Sequence, residues 1–205
     1  MSDFKTHWEN IYKTKSPQEV SWYSPHLAKS LELIQSFNLP KNAAIIDIGG
    51  GASTFPDDLL AEGFHDVTVL DISSEALEVS KKRLGNKAST IQWLESDVTK
   101  ASIPVSRYDL WHDRAVFHFL TKLEDRQKYV NCLDKALKPG GHALIATFGP
   151  SGPLKCSGLE IVRYSTESLQ KEFGDGFLLE KHSIEIQKTP FYSTQQFLYC
   201  LFKKK

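Results

Sequence analysis

Three aspartates, Asp47, Asp71 and Asp97, recur at nearly equal intervals in the first half of the 205-residue chain, each closing or following a short apolar run. The first stands two residues before a glycine turn, Gly49-Gly50-Gly51. Glycine lets the backbone approach a ligand with no Cβ in the way. A carboxylate beside that turn repels a pyrophosphate and attracts a cation. A dinucleotide fingerprint would carry a third glycine where Thr54 stands. At the end of a second strand, Asp71 can accept two hydrogen bonds from a ribose diol. After a third, Asp97 can accept from an exocyclic adenine amine, and Ile72 offers the adenine face an apolar wall. A lone aspartate after a strand is usually a turn former. Three in one register around a glycine turn point instead to an adenosine that carries a positively charged tail.

The elements that must position these residues alternate. Residues 6–14 fit a short helix with Trp8, Ile11 and Tyr12 on one side, and Pro25 suits the first turn of a second helix carrying Leu27, Leu31 and Ile34. Ala43–Ile48, Val67–Leu70, Thr90–Leu94, Tyr108–Trp111 and His142–Phe148 read as strands, the first two being short, mostly apolar runs suited to burial on both faces. Helices are expected between them, across roughly 52–62, from a cap at Ser73 to Leu84, and through about 124–137. Such units imply an α/β fold, a mostly parallel sheet between helices. After a helix near 166–173, Phe177–Gln187 and Thr194–Phe202 read as an antiparallel pair. No repeat, low-complexity tract or linker divides the chain. It reads as one domain, with a helical lid over 1–40, a cofactor-binding core over 41–148 and a substrate-side loop, helix and strand pair over 149–205.

Composition narrows the class. A hydrophobic fraction of 40% supports a packed core, and 25 basic against 25 acidic residues give no reason to expect a nucleic-acid or membrane partner. The start, Met1-Ser2-Asp3-Phe4-Lys5, is polar, and no stretch has the length of a membrane-spanning helix. The cysteines at 132, 156 and 200 form neither a disulfide framework nor a zinc pattern, and no metal site is expected. A cytoplasmic enzyme with reduced thiols follows as the expectation.

Four segments resemble, in order, the class I S-adenosylmethionine-dependent methyltransferases: Ile46–Ser53, Val69–Ser73, Ser96-Asp97-Val98 and Leu137–His142. The turn reads Gly-Gly-Gly-Ala where that family usually has Gly-x-Gly-x. The resemblance implies a Rossmann-like three-layer sandwich on a seven-stranded sheet, ending in the antiparallel pair. It implies S-adenosyl-L-methionine as cofactor and S-adenosyl-L-homocysteine as product. Asp47, Gly49 and Gly51, with Gly50 between them, would surround the methionine part; Asp71 would hold the ribose; Asp97 and Val98 would meet the adenine.

The acceptor side centres on Trp111–His118, leaving the fourth strand where the methyl group would point in this fold. His112 or His118 could take a proton from an acceptor, Asp113 could orient it, and Arg114 could pair with a carboxylate. The stretch is similar to the Trp-Asp-Arg segment of the thiopurine methyltransferase-like branch and to the Asp-Lys segment of small protein-lysine methyltransferases. Its inserted histidine and Phe117-His118-Phe119 fit a group of bacterial methyltransferases better. Trp8 and Trp22, with Tyr12 and Tyr23, lie on segments that in this fold usually cover the cofactor and exclude water. The Gly- and Pro-rich stretch 149–158 is placed to shape an acceptor pocket, and Arg163 and Tyr164, if they face it, favour a polar or anionic small molecule. Cys156 reads as inert. Arg114 and Arg163 count against the alternative, a protein-lysine methyltransferase, whose groove should be acidic. Thr54 and Asp47 count against a nicotinamide-dinucleotide oxidoreductase. A binding module that has lost turnover is a third alternative.

Overall fold

The computed structural model describes residues 3–205, so Met1 and Ser2 of the polar start lie outside it. Nine strands follow in chain order: β1 (Ala44–Ile48), β2 (Asp66–Asp71), β3 (Ile91–Glu95), β4 (Tyr108–Arg114), β5 (Leu137–Phe148), β6 (Lys155–Cys156), β7 (Leu159–Glu160), β8 (Phe177–Lys188) and β9 (Thr194–Lys204). Seven form one sheet in the order β3-β2-β1-β4-β5-β9-β8. Strands β1 to β5 are parallel, and β9 runs antiparallel to both β5 and β8. The expected Rossmann-like sheet with its C-terminal antiparallel pair is present. Strand order reverses at β1, because β2 continues to one side and β4 to the other. The carboxyl ends of β1 and β4 therefore flank the crevice where open α/β sheets bind ligands.

Both faces are covered, and strand parity decides which residue meets which face. On one face Ile45, Val69, Leu110 and Leu144 pack with side chains of α2 (Ala28–Gln35), α3 (Phe55–Ala61) and α4 (Ser74–Leu84). On the other, Ile46, Ile48, Trp111 and Ile145 pack with side chains of α5 (Leu123–Ala136) and α6 (Thr166–Phe173). Leu59 and Leu133, one from each layer, are fully buried; each such side chain contributes roughly 1.5–3 kcal/mol by leaving water. A further helix, α1 (Asp3–Thr14), lies against α4.

Four differences from the sequence reading matter for the site. Strand β4 runs three residues further than expected, through Arg114, because β1 and β5 both continue to pair with it there. Pro25 lies ahead of α2 rather than in its first turn. That helix starts at Ala28, its N-terminus held by Asp58 of α3, which accepts from Leu27 N–H at 3.0 Å and bonds His26 Nδ1 at 2.7 Å. Helix α3 begins only at Phe55, since Gly51–Thr54 are spent on the turn. Finally, the loop after β5 contains the small β6–β7 hairpin, turned by Ser157 and Gly158, both at positive φ. No helix among the described residues is long and apolar enough to cross a membrane.

Candidate active site

The glycine turn is dictated by close neighbours. Gly49 sits at φ +66°, and a Cβ there would fall 2.1 Å from Val116 Cγ2. A Cβ on Gly50 would fall 2.1 Å from Asp47 Oδ2. Gly51 donates its N–H to Asp71 Oδ2 at 2.9 Å, which ties the turn to the end of β2. Larger residues at 49 and 50 would push the turn away from β1 or displace the acid.

Two connected hollows open beside this turn, sharing Tyr12, Trp22, Ile48, Gly49 and Arg114 as walls. The larger is bounded by Asp71, Ile72, Asp97, Val98, Val116 and Phe119, apolar walls with a few convergent polar groups, as small-molecule and cofactor sites have. The smaller is bounded by Asp47, Gly50, Ser53, His112 and Tyr23. The glycine turn and all three strand-phased acids thus meet one cleft.

Each acid has a different environment. Asp71 is nearly buried; besides Gly51 it accepts from Ser73 N–H at 2.8 Å. Burial outweighs these bonds and pushes its carboxyl up to about 6. Asp97 is partly buried, which alone would raise it, but hydrogen bonds from Thr99 and Lys100 prevail and hold it below the usual range. Asp47 is 2% exposed, and its Oδ1 receives His112 Nδ1 at 2.7 Å. Its Oδ2 is buried with no hydrogen-bond partner among the described residues. An unspent carboxylate oxygen in a buried wall is costly unless a donor arrives.

The stretch from His112 to His118 behaves otherwise. Because β4 includes residues 112–114, parity sends His112 and Arg114 to one face and Asp113 to the other. His112 is wedged between Asp47, Ser30 Oγ (2.9 Å) and the Phe55 ring, and it lines the smaller hollow. Asp113 is enclosed and lines neither hollow. It accepts from Val116 N–H at 2.9 Å, from Phe117 N–H at 3.1 Å and from Tyr129 OH at 2.5 Å, which holds the bend around Ala115 at φ +73°. Burial nonetheless pushes its carboxyl up to about 7. His118 is also enclosed: its Nδ1 accepts from Phe148 N–H at 3.2 Å, and burial, with the nearby Arg114 cation, pushes it down to about 3. Asp113 and His118, both expected on the acceptor side, thus face inward and line neither hollow. Arg114 borders both hollows, but donates from Nε to Tyr199 OH at 3.1 Å, from Nη1 to Trp22 C=O at 3.2 Å and from Nη2 to Gln187.

Aromatic rings close the cleft from the N-terminal side. Trp8 meets Trp22 and Phe119 edge-on, with centroids 5.6 and 5.3 Å apart, and Phe4 meets Phe119 at 6.0 Å. Trp8, Trp22, Tyr12, Phe4 and Phe119 all line the larger hollow. Helix α1 is tied down by Glu9, which accepts from Ser74 N–H at 2.9 Å, by Lys5 on Glu95, and by His7 on Ser157 at 3.2 Å. Phe4, Phe119, Leu120 and Val116 are wall residues that the sequence reading did not single out, since nothing in their spacing separates a wall from a core. Arg163 and Tyr164 line neither hollow: Arg163 donates to Pro150 C=O at 2.8 Å, and Tyr164 packs on Phe117. Among the described residues no group of three or more His, Cys, Asp or Glu is arranged to hold a metal ion.

Known proteins match this architecture. The methyltransferase domain family model matches residues 46–145. EEF1A lysine methyltransferase 2 of Homo sapiens is 24% identical over 192 residues, spanning 86% of this chain and 75% of that protein. Malonyl-[acyl-carrier protein] O-methyltransferase 2 of Ilyobacter polytropus is 30% identical over 106 residues, spanning 51% of this chain and 39% of that protein. Among solved structures, one concerned with converting a disulfide bond into a thioacetal group during echinomycin biosynthesis superposes with a TM-score of 0.80 at 17% identity, over 98% of this chain and 92% of that chain. The N-methyltransferase NodS of Bradyrhizobium japonicum, in complex with S-adenosyl-L-homocysteine, gives 0.75 at 16% identity, over 99% of each chain. With the family model over the glycine turn and its flanking strands, these matches identify the chain as a class I S-adenosylmethionine-dependent methyltransferase.

Proposed function

We propose that the two hollows hold one S-adenosylmethionine, adenosine in the larger and methionine part in the smaller, and that its methyl group goes to a small-molecule acceptor. The observation that carries the cofactor placement is the partnerless Asp47 Oδ2 in the wall of the smaller hollow. The ammonium of the methionine part supplies the donor that this oxygen lacks. Asp71 accepts from the ribose diol and Asp97 from the adenine amine, while Ile72, Val98 and Val116 provide apolar walls. Gly49, Gly50 and Gly51 keep the turn flat against the methionine part. His112 fixes Asp47 through Nδ1 and is itself fixed by Ser30.

The bound cofactor supplies an electrophilic methyl group on a sulfonium. The protein's contribution is to hold an acceptor in line with it and to keep water out, through Trp8, Trp22 and Phe119. With Asp113 and His118 turned inward and His112 engaged on both nitrogens, none of the three is free to act as a general base, so the acceptor brings its own available lone pair. No metal is assigned a part.

The small-molecule reading rests on the Arg114 end of the cleft. In the larger hollow Arg114 shares the wall with Trp22, Ala115 and Cys156, and the carboxylates there, Asp71 and Asp97, are the two assigned to the adenosine. A cation in apolar surroundings repels a lysine ammonium and tolerates a neutral or anionic acceptor. The similarity to a lysine methyltransferase favours a second reading, a protein lysine acceptor. In a cytoplasmic extract with labelled methyl donor, label is expected in the small-molecule fraction; label on protein lysines would decide for the second. For the cofactor, S-adenosylmethionine and S-adenosylhomocysteine are expected to raise the melting temperature, as ligands of the native state do, and a nicotinamide dinucleotide is not. No shift with either adenosyl ligand at millimolar concentration would overturn the placement.

A further inference from the structure

The segment from Ser21 to Leu27 crosses the smaller hollow as a strap, and nearly every residue of it is fastened. Gln195 on β9 donates to Ser21 Oγ at 3.2 Å, Arg114 on β4 to Trp22 C=O at 3.2 Å, and Gln187 on β8 to Tyr23 C=O at 3.0 Å. Thr54 donates to Ser24 C=O at 3.0 Å, and Asp58 receives His26 and Leu27. These fastenings differ in kind. Thr54 and Asp58 belong to the turn and helix packed on the central strands. Gln187 lies on the edge strand β8, hydrogen-bonded to the sheet on one side only.

Gln187 also does two things at once. Its amide oxygen accepts from Arg114 Nη2, and its amide nitrogen donates to the strap. Arg114, stacked over Phe197 at 4.3 Å and donating to Tyr199, whose hydroxyl donates to Glu185 at 2.9 Å, in turn grips the neighbouring strap carbonyl. A neutral amide is the side chain that can bridge a guanidinium and a carbonyl, since it presents an acceptor and a donor together. Gln187 lines neither hollow, so it reaches the site only through the strap and Arg114.

We infer that Gln187 is a positioning residue for methyl transfer: together with Arg114 it clamps the backbone at Trp22 and Tyr23 down over the methionine part of the cofactor. The inference rests on the cofactor placement proposed above. With the clamp closed, Trp22 and Arg114 wall both hollows and the demethylated product is held beneath the strap. Breaking the clamp frees the strap at Tyr23, while Gln195 still holds Ser21 on one side and Thr54 and Asp58 hold the other. Product then escapes faster, although the cleft's own contacts are intact.

The test uses the full chain, with S-adenosylhomocysteine as probe and the fluorescence of Trp8 and Trp22 as signal in rapid-mixing displacement. Gln187→Leu removes both bonds and is expected to raise the dissociation rate at least about tenfold, with an unliganded melting temperature close to that of the unaltered chain. Gln187→Glu keeps a partner for Arg114 but loses the donor to Tyr23, and is expected to restore part of the slow dissociation. Glu180→Ala, on the same strand as Gln187, removes the 3.2 Å contact of Glu180 with His142 of β5 and should leave the rate unchanged. Equal dissociation from Gln187→Leu and the unaltered chain would overturn the clamp. So would an equal acceleration by Glu180→Ala, which would trace the effect to loosening of β8 as a whole. Failure of the unaltered chain to bind the probe would overturn the cofactor placement and the clamp with it.

Discussion

The carboxyl ends of β1 and β2 and the segment around the end of β4 look alike as sequence, for each sets acids or histidines beside apolar residues at the end of a buried strand. Folded, they are opposites. At the β1 end Asp47 retains an oxygen with no partner, and Asp71 lines the cleft with both oxygens held by backbone N–H groups on their far side. Around β4, Asp113 is saturated by two backbone N–H groups and a tyrosine, and His118 is enclosed away from the cleft, its Nδ1 accepting from Phe148 N–H and its Nε2 without a partner among the described residues. Polar residues at a strand end thus divide into those that line the cleft, where a ligand can meet them, and those enclosed around the bend. The second kind makes the first possible: by holding the bend after β4, Asp113 places Val116 against Gly49.

The sharpest way to break this contrast is to remove one acid from each region. Asp71→Ala is expected to weaken S-adenosylhomocysteine binding roughly 100- to 10,000-fold, since two hydrogen bonds to a charged acceptor are worth about 1.5–3 kcal/mol each. The ligand-induced thermal shift should vanish while circular dichroism stays native. Asp113→Ala is expected to do the reverse. It strands two backbone N–H groups and a tyrosine hydroxyl, costing about 2–3 kcal/mol, or roughly 5–10 °C in a domain of this size, yet the remaining folded protein should still respond to the ligand. If Asp113→Ala abolished binding without lowering the melting temperature, the division between the two regions would be wrong.

Acid titration sharpens the same point less drastically. With its carboxyl pushed up to about 6, Asp71 is ionised at neutral pH and protonated at pH 5. Affinity for S-adenosylhomocysteine should be flat above about pH 6.5 and fall by up to about tenfold per unit below 6, read by calorimetry. The sign for unliganded stability is opposite. A carboxyl raised in the native state contributes stability that is present in acid and lost as pH rises from about 4 to 6. His118, lowered to about 3, contributes stability that is present above about 6.5 and lost as pH falls toward 3. Asp71→Asn removes only the first effect, so its melting temperature relative to the unaltered chain should improve between pH 4 and 7.

Much of the site was legible because glycine and aspartate carry their physical reason in their type. Gly49 and Gly50 are required by a positive φ and a 2.1 Å approach, and Asp71 by the N–H groups it collects. Strand identity was equally legible, since β1 buries every residue and reads as a short apolar run interrupted only by Asp47. The fate of His112, Asp113 and Arg114 was not, because it turned on where β4 ends. Reading that strand as ending at Trp111 makes the next three residues a loop with free side chains; continued pairing, with β1 through Asp113 and with β5 through Arg114, imposes alternation instead. That pairing is a property of the neighbours. The clamp on the strap was illegible for the same reason: Gln187 and Tyr23 lie 164 positions apart, and no local pattern links an edge-strand amide to a loop carbonyl.

Cys156 supplies the mildest test, because it shares the cleft wall with Asp71 but stays neutral. Its thiol is buried in the β6–β7 hairpin, and burial pushes it up to about 12 despite the nearby Arg114 cation. At pH 7.5 the thiolate fraction is then on the order of one in 30,000, against about one in ten for a free cysteine. Iodoacetamide at that pH should leave Cys156 of the native chain unmodified while labelling it fully in denaturant, as read by peptide mass. Cys156→Ala should change S-adenosylhomocysteine affinity by less than about twofold. Rapid native labelling at Cys156 would mean that the Arg114 cation outweighs burial at this end of the cleft. The assignment of Cys156 to a neutral, enclosed wall beside Arg114 would then no longer hold.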